Sequence, residues 1–378
     1  MRQVDADAAV IGGGIIGLAC AHELSQRGWR VVVAERDRVG SGAGHVAAGM
    51  LAPWGEVESE SPALLELALE SARLYPEWVR GLEAESGQSC ALRTEGHLML
   101  ALHRDHAEEL ERLAAIQRDL GLTARGLTRE EVLEREACVS PRVVSGLALP
   151  GDTQVDPRRL TSALAAALRA RDVEILEGAE AAPLIEGARV RGAETPEAEI
   201  RCDVVLIAAG AWSATPWPEA AGPLPLRPVK GQVVRLRGQP LVRHVIRTPD
   251  VYLVPRQDGE IVVGATSEEQ GFDTRITVGA VMDLLREAWR VVPGIAELEL
   301  AETSAGLRPA LRDHLPAIGA TAVEGLFVAT GHYRHGILLA PMTARLLAEA
   351  MVSASAPSLL APFSPIRLQA AAAAGKEA

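Results

Sequence analysis

The stretch that most constrains the fold of this chain lies between Ala8 and Glu35. It reads as an apolar strand, a glycine-rich turn, a helix and a second apolar strand that ends in an acid. In such a βαβ unit Gly12 permits the tight turn, Gly14 lets the backbone approach a pyrophosphate, and Gly17 lets the helix pack closely on the strand. A glycine-rich turn in a core α/β unit is the alternative. The strand, the helix and the acid together favour dinucleotide binding.

The second strand ends at Glu35, where a carboxylate can accept hydrogen bonds from a ribose diol. Its charge repels a 2′-phosphate, so NADP is the least expected dinucleotide. The segment 36–53 that follows is rich in glycine and alanine. Small side chains suit the close approach of a flat ligand, and a plain flexible loop is the alternative.

Length and charge limit the class of protein. A chain of 378 residues is longer than one hydrophobic core usually sustains, so we expect two domains. The formal net charge of -12 and the lack of a long basic run argue against a nucleic-acid partner. No apolar run reaches the ~18 residues of a membrane span without a charge or a proline, so no membrane association is expected.

The four cysteines are scattered along the chain, at Cys20, Cys90, Cys138 and Cys202. They form no Cys-x-x-Cys pair, and no histidine spacing suits zinc, so we expect no metal site. This usage predicts buried thiols in a cytoplasmic protein.

Hydrophobic periodicity predicts an α/β fold with two parts. Helical spacing is found over 62–85, 107–120, 157–171, 279–292 and 336–351, and strand-like runs are found over 97–102, 173–176, 200–209, 232–236, 251–255 and 261–265. The prolines between 216 and 228 indicate a domain boundary. We expect a Rossmann-like domain with a central parallel sheet, made of 1–90, 145–215 and 305–365. A second, mostly antiparallel β substrate domain with helices (α+β) would comprise 91–144 and 216–304, followed by a mobile tail over 366–378.

Two short polar clusters in the last third of the chain are candidates for chemistry. The first, Ala-Gly-Leu-Arg-Pro, contains Arg308, whose planar fork of donors matches a carboxylate. A surface salt bridge is the bland alternative for any single arginine. The second, Gly-His-Tyr-Arg-His-Gly, places His332 and His335 directly before a predicted helix. They suit acid–base chemistry or a structural role equally.

A tyrosine on a predicted apolar strand is a further candidate. Tyr252 lies between Val251 and Leu253, so packing in the core is its ordinary interpretation. The sharper hypothesis is that its hydroxyl points into a pocket.

Together these motifs resemble the glycine oxidases of the thiamine-thiazole pathway, within the D-amino-acid oxidase superfamily of FAD-dependent amine oxidases. The resemblance runs from Ala8 to about residue 350 and is carried by six motifs. They are Val-Ile-Gly-Gly-Gly-Ile-Ile-Gly at 10–17, Ala-Ala-Gly-Met at 47–50, Val-Tyr-Leu-Val-Pro at 251–255, Val-Val-Gly-Ala-Thr at 262–266, Ala-Gly-Leu-Arg-Pro at 305–309 and Gly-His-Tyr-Arg-His-Gly-Ile-Leu-Leu-Ala-Pro at 331–341. The last two are far more specific than the glycine fingerprint, which many flavoproteins share.

The resemblance implies that FAD is the cofactor and assigns residues along it. The pyrophosphate contacts are Gly12, Gly14, Ile15, Ile16 and Gly17, and the contacts of the adenosine end are Glu35, Arg36 and Ala181. The residues that run along the flavin are Ala43, Gly44, Ala48, Gly49 and Met50, and those that wrap its isoalloxazine ring are His332, Tyr333, Arg334, His335, Gly336, Ile337 and Leu338. Gly210 is a further cofactor contact. The segment near Arg312, where some sarcosine oxidases attach flavin covalently, contains no cysteine. The FAD is therefore expected to be non-covalent.

The same resemblance implies the substrate contacts. Arg308 matches the arginine that binds the substrate carboxylate, Tyr252 a tyrosine that assists it, and Arg334 a second arginine at the pocket. Two positions depart from some family members. Ser267 replaces an apolar residue and Asp250 replaces a histidine, which leaves the preferred substrate size open.

The implied activity is the oxidative deamination of glycine and other small amino acids. Hydride passes from Cα to flavin N5, water hydrolyses the imine to an oxo acid and ammonia, and dioxygen is reduced to hydrogen peroxide. Such chemistry needs no acid–base side chain, which favours a structural role for both histidines. The alternatives are a D-amino-acid dehydrogenase that uses a quinone, a sarcosine oxidase-like enzyme, or a flavin-binding subunit without turnover. A homo-oligomer, for example a tetramer, fits the resemblance.

Overall fold

The computed structural model describes residues 2–55, 61–353 and 355–369. Its α-helices are α1 (Ile15–Gln26), α2 (Ala43–Val46), α3 (Pro62–Ser86), α4 (Arg104–Asp119), α5 (Arg129–Arg135), α6 (Pro157–Ala170), α7 (Val278–Val291) and α8 (Gly336–Ser353). Its strands are β1 (Arg2–Asp5), β2 (Ala8–Ile11), β3 (Val31–Glu35), β4 (Met50–Leu51), β5 (His97–Ala101), β6 (Arg125–Thr128), β7 (Ser145–Leu149), β8 (Thr153–Gln154), β9 (Glu174–Glu177), β10 (Ala182–Glu186), β11 (Arg189–Glu194), β12 (Ala198–Arg201), β13 (Val204–Ile207), β14 (Arg227–Arg237), β15 (Val245–Arg247), β16 (Tyr252–Pro255), β17 (Glu260–Gly264), β18 (Glu299–Ala310), β19 (Ala317–Ala320) and β20 (Leu326–Thr330).

The expected Rossmann-like sheet is present and has six strands in the order β19-β20-β13-β2-β3-β9. All neighbours are parallel except β19 and β20. Side chains of β2 alternate between two cores: Ala8 and Val10 pack against the helices, while Ala9 and Ile11 face the opposite layer. A strand buried on both faces is apolar throughout, which explains why this segment is continuous and hydrophobic.

Helices α1, α3, α6 and α8 form the layer on one face of this sheet. Helix α8 is long and apolar enough to cross a membrane by length and composition, yet 67% of it is buried inside the structure. It packs against α1 and α3. The core helix of a folded domain passes the same test, so this is weak evidence for a membrane span.

A four-stranded sheet in the order β1-β12-β11-β10 covers the other face. This layer corrects the expectation of one strand over 200–209. The chain turns at Cys202 and Asp203, so β12 pairs with β1 while β13 pairs with β2. The segment before residue 198 forms β10 and β11, which pair with each other in antiparallel fashion.

The second part is an eight-stranded sheet in the order β18-β14-β17-β16-β15-β5-β7-β6. Its pairs are antiparallel except for β15 and β5, which confirms the mostly antiparallel expectation. Two proposed domain boundaries shift. Strand β7, expected in the dinucleotide-binding part, pairs with β5, and the segment 305–310 of β18 pairs with β14. Strand pairing holds both segments in the second sheet.

Local capping explains where several helices begin. Thr128 and Glu131 form a capping box at the start of α5. Asp156 accepts from two backbone N–H groups of α6, whose first residue is Pro157. These caps satisfy donors that have no partner inside the helix.

Two further expectations are corrected near the surface. Cys138 is exposed, whereas Cys20, Cys90 and Cys202 are buried as expected. The start of the expected mobile tail is anchored, because Leu368 is buried and the guanidinium of Arg367 donates to Asp313 at 2.9 Å. The rest of that tail, 370–378, lies outside the described residues.

Candidate active site

A cavity of about 470 Å³ lies where the carboxyl ends of β2, β3, β13 and β20 meet the face of the second sheet. Parallel sheets commonly bind ligands at this edge. The second sheet contributes residues of β14, β16, β17 and β18 to its wall. The segments expected to bind the nucleotide and the substrate therefore line one cavity.

Nearly all the residues expected at the site line this cavity. They are Gly12, Gly14, Ile15, Ile16, Glu35, Arg36, Ala43, Gly44, Ala48, Gly49, Met50, Ala181, Gly210, Tyr252, Arg308, His332, Tyr333, Arg334, His335, Gly336, Ile337 and Leu338. Gly17 is the exception. A Cβ at this position would overlap the carbonyl oxygen of Gly12, so Gly17 serves the close packing of α1 on the turn.

The glycine turn has the features of a phosphate cradle. Gly12 has φ 116°, and a Cβ there would lie 2.5 Å from the carbonyl oxygen of Ala208, so only glycine fits. Gly14 is the N-cap of α1 and supplies no side-chain cap to its first N–H groups, while the space beside it is open. Those N–H groups and the helix dipole favour an anion. The residues present therefore fit the pyrophosphate of FAD.

The expected adenosine end is held by backbone contacts. The Glu35 carboxylate accepts from Gly13 N at 2.6 Å and from Asp37 N at 2.8 Å, which fixes it at the rim of the cavity. The Arg36 guanidinium lies over the ring of Trp212, 4.4 Å from its centre. A flat base would meet an arginine–tryptophan stack at this end.

The segment before α8 wraps the other end of the cavity. His332 is buried, and its Nε2 lies 3.2 Å from the hydroxyl of Thr343. Burial lowers the pKa of His332 to about 3, assisted by the nearby His335, so the ring is neutral at physiological pH. Tyr333 adopts φ 47° and donates its N–H to Pro309 at 2.9 Å. For His332 these contacts support the structural interpretation rather than acid–base chemistry.

The side chain of Arg308 lies across the backbone of β14. Its Nη1 donates to the carbonyl oxygens of Thr266 at 3.1 Å and Lys230 at 3.4 Å. A Cβ on Gly231 would lie 2.5 Å from Cζ and Nη1, so the guanidinium occupies the space that this glycine leaves. Among the described residues no carboxylate pairs with Arg308, which argues against a surface salt bridge. Its charge is directed to the cavity.

Tyr252 occupies a similar position over the neighbouring strand. It stands opposite Gly264 in the register of β16 and β17, and a Cβ on this glycine would lie 2.5 Å from the Tyr252 hydroxyl. Burial raises the pKa of Tyr252, while the charges of Arg308, Arg247 and Arg334 oppose that rise. The phenol is therefore protonated and surrounded by cations, as a donor to a carboxylate should be.

Arg334 is exposed, with its guanidinium 5.2 Å from the centre of the Tyr333 ring. Burial would raise the pKa of Tyr333, but hydrogen bonds with Ser267 and Arg334 lower it. Both residues thus lie at the end of the cavity that Arg308 faces. Ser267, the departure noted in the sequence, contacts a tyrosine rather than an apolar side chain.

Residues 7–350 match the protein family described as DAO, FAD dependent oxidoreductase.

The chain belongs to this family.

Curated proteins of three kinds are similar to this chain over nearly its whole length. The glycine oxidase of Geobacillus kaustophilus is 36% identical over 365 residues, which cover 96% of this chain and 97% of the relative. The bifunctional protein ThiO/ThiG of Trichormus variabilis is also 36% identical, but the match covers 55% of that longer protein. Hydrogen cyanide synthase subunit HcnC of Pseudomonas aeruginosa is 33% identical, with 96% of each chain covered.

Solved structures agree with this assignment. The crystal structure of glycine oxidase from Geobacillus kaustophilus superposes with a TM-score of 0.90 at 35% identity and covers 96% of this chain and 98% of its own. This member of the DAO family is an FAD-dependent amino-acid oxidase of the glycine oxidase type. The cofactor expected from the sequence is confirmed as FAD.

Several residues of the cavity wall in this DAO family member were not foreseen. Gly231 and Gly264 make room for Arg308 and Tyr252, Trp212 stacks with Arg36, and Thr266 supplies a carbonyl to Arg308. A glycine inside an apolar strand marks a close approach of another group, and this signal was present in the sequence. Which group approaches depends on strand register, which the sequence does not reveal.

Proposed function

We propose that this FAD-dependent oxidase deaminates glycine and other small amino acids, with the carboxylate held by Arg308. The observation that carries the proposal is the Arg308 guanidinium, which lies in the cavity, is bound to two neutral carbonyl oxygens and has no carboxylate partner among the described residues. A bidentate arginine–carboxylate pair supplies both orientation and affinity. Tyr252 adds a donor from β16 of the same sheet, and Arg334 stands at the same end.

The side chains then act by positioning rather than by proton transfer. Arg308 and Tyr252 hold the carboxylate, so the substrate binds in one orientation. Its Cα–H bond therefore has a fixed direction in the cavity. FAD supplies the two-electron acceptor that takes hydride from Cα and is reoxidised by dioxygen. His332 is neutral and turned to Thr343, so no step is assigned to it. The substrate amine enters the reaction unprotonated.

The start of α8 contributes electrostatically. Gly336, Ile337 and Leu338 are the first three residues of α8, where backbone N–H groups have no partner within the helix, and all three line the cavity. The positive end of the helix dipole therefore favours negative charge in this region of the cavity. This supports placing the flavin ring, rather than the adenine, at this end.

The bifunctional ThiO/ThiG relative supports a role in supplying iminoacetate for thiamine thiazole synthesis. The match to a hydrogen cyanide synthase subunit supports a second candidate, an amino-acid-oxidising subunit of a multi-chain enzyme. The two predict different assemblies. A homo-oligomer that oxidises glycine on its own supports the first, while a chain that turns over only with partner subunits supports the second.

Substitution of Arg308 tests the proposal. Arg308→Ala should raise the apparent KM for glycine by roughly tenfold to a hundredfold, because a charge-assisted hydrogen bond contributes about 1.5–3 kcal/mol. The flavin spectrum should be retained. Arg312→Ala removes an exposed arginine nearby and is the matched control. An unchanged KM in Arg308→Ala would remove Arg308 from the substrate site.

The electron acceptor and the flavin linkage have separate tests. Peroxide formation in air, compared with turnover using a dye acceptor, distinguishes an oxidase from a dehydrogenase. Bleaching of the flavin by glycine or D-alanine without oxygen would contradict a non-catalytic flavin-binding subunit. Release of the flavin into the supernatant on acid precipitation is expected for non-covalent FAD.

A further inference from the structure

The segment 43–50, here called the inner loop, lines the cavity along much of its length. It contains α2 and turns at Gly49, which has φ 82°. Two of its carbonyl oxygens, those of His45 and Ala48, are held by three arginines. Arg158 donates to the carbonyl of His45 at 2.8 Å, and Arg235 approaches the same oxygen at 3.4 Å. Arg256 donates to the carbonyl of Ala48 at 2.6 Å.

Two of these arginines are neutralised by carboxylates. Arg158 makes a two-pronged ion pair with Glu302, with distances of 3.0 and 2.6 Å. Arg235 donates to Glu260 at 2.5 Å. Their charges are therefore largely cancelled where they touch the inner loop.

Arg256 differs from both. Its side chain is buried, and its guanidinium donates to the carbonyl of Ala48, to the carbonyl of Val155 at 3.2 Å and to Oε1 of Gln154 at 3.1 Å. All three acceptors are neutral, and no ion pair to Arg256 is found in the described part of the chain. Burial lowers the pKa of Arg256 to about 10, which still leaves it charged at neutral pH. A buried positive charge thus lies directly behind a residue of the cavity wall.

The position of Arg256 in the chain ties the inner loop to the substrate end. It follows β16 immediately, four residues after Tyr252. Side chains two residues apart on a strand point to the same face. Tyr252 points into the cavity, Val254 packs with Val46 and Ala48, and Arg256 holds the Ala48 carbonyl.

We propose that Arg256 is a positioning residue for the bound flavin, which it serves in two ways. It fixes the inner loop through the carbonyl of Ala48 and through Val155, whose own N–H donates to the carbonyl of Gly49. Its positive charge, which makes no ion pair among the described residues, favours an anionic, reduced ligand in the cavity. This inference rests on the proposed placement of FAD along the inner loop. It adds a residue that contacts neither substrate nor cofactor.

The test is carried out on the full chain, prepared with and without FAD. Arg256→Gln keeps a donor for one carbonyl but removes the charge and the fork. It should weaken FAD binding to the folded apoprotein by about tenfold or more. It should also lower the midpoint potential of bound FAD by about 30 mV, the tenfold equivalent for a two-electron couple. Arg256→Lys keeps the charge, so its potential should stay near that of the native protein while its FAD binding weakens.

Arg93 provides the matched control. It is also buried and donates to two carbonyls, those of Pro255 at 3.0 Å and Arg243 at 2.8 Å, but it pairs with Glu95 and does not reach the inner loop. Arg93→Gln should lower the melting temperature without changing FAD affinity or potential.

The inference is overturned if Arg256→Gln, folded by circular dichroism, binds FAD within about twofold of the native affinity at an unchanged potential. Should Arg256→Gln fail to fold, Arg256→Lys decides: native FAD affinity in this variant refutes the positioning role, and weakened affinity at an unchanged potential supports it. A native chain that takes up no FAD would instead refute the placement of the cofactor, which keeps the two failures distinct.

Discussion

Replacement of Gly231 by alanine should impair substrate binding while leaving the fold intact. The new Cβ would lie 2.5 Å from Cζ and Nη1 of Arg308. An ordinary contact requires about 3.5 Å, so the guanidinium must move by about 1 Å. It is the end of a flexible side chain, so the strand itself need not shift. The move breaks the 3.1 Å hydrogen bond from Nη1 to the carbonyl of Thr266 that orients the fork.

The expected cost falls on catalysis. A misplacement of about 1 Å at a positioning group can lower the rate by roughly a hundredfold. Stability should change little, because alanine in a strand is favoured over glycine by about 0.5–1 kcal/mol and offsets part of the strain. Oxygen consumption at varied glycine concentrations gives KM and kcat, the flavin spectrum gives FAD content, and thermal melting reports the fold.

Gly238→Ala is the matched control for Gly231→Ala. Its Cβ would lie 2.5 Å from Cδ2 of Leu298, which is also the end of a flexible side chain, but it is not part of the cavity wall. Its kinetics should remain native. A Gly231→Ala protein that is loaded with FAD and shows a native KM would refute the argument that the guanidinium must occupy this space to bind a carboxylate.

Three further outcomes follow from the contacts. Gly12→Ala should abolish FAD uptake or destabilise the fold, because its Cβ meets the backbone oxygen of Ala208 at 2.5 Å and φ is 116°; absorbance and melting would show native behaviour if this is wrong. A thiol reagent should label Cys138 alone in the native protein, as read by mass spectrometry, because Cys20, Cys90 and Cys202 are buried. Rapid labelling of any of these three would contradict their burial. The hydrogen bond from Arg158 lowers the pKa of Glu302 to about 2. The ionised Glu302 stabilises the fold above its unfolded pKa of 4.5, and this contribution is lost as the pH falls towards 2. In Glu302→Gln the free energy of unfolding should therefore fall less steeply over this pH range. An unchanged pH dependence of the free energy of unfolding would refute this.

Local patterns predicted the elements whose determinants are local. The glycine turn, α1 and β3 were predictable because strand and helix periodicities and the special backbone of Gly12 are encoded within 8–35. The capping box at Thr128 was predictable for the same reason. Such features depend on neighbours in sequence rather than on distant partners.

Pairing between distant segments was not predictable from those patterns. The run 200–209 is apolar enough for one strand, yet it is divided between two. Strand β12 pairs with β1 near the N-terminus, whereas β13 pairs with β2. Strand β7 likewise joins the second sheet through pairing with β5. Register with a remote strand decides both cases.

The site shows the same division. Arg308 and Tyr252 could be named from motifs, since a guanidinium and a phenol have recognisable chemistry. The glycines that admit them could not, because Gly231 lies on the strand adjacent to Arg308, and Gly264 faces Tyr252 across a strand pair. Their function exists only once the register of the second sheet is known. The buried charge of Arg256 was missed too, since its three neutral acceptors come from other parts of the chain.

The register of β16 also explains why cofactor and substrate geometry are coupled. Tyr252 and Arg256 lie on the same face of the sheet because Arg256 follows Tyr252 by four positions, an even offset. A one-residue slip would turn both side chains to the opposite face, removing the phenol from the substrate end and the guanidinium from the inner loop. Pairing of β16 with β17 on one side and β15 on the other resists such a slip. Changes that adjust substrate preference are therefore better tolerated in the segment before this strand, 248–251, and in the segment after β17, 265–267, which line the cavity outside the paired residues.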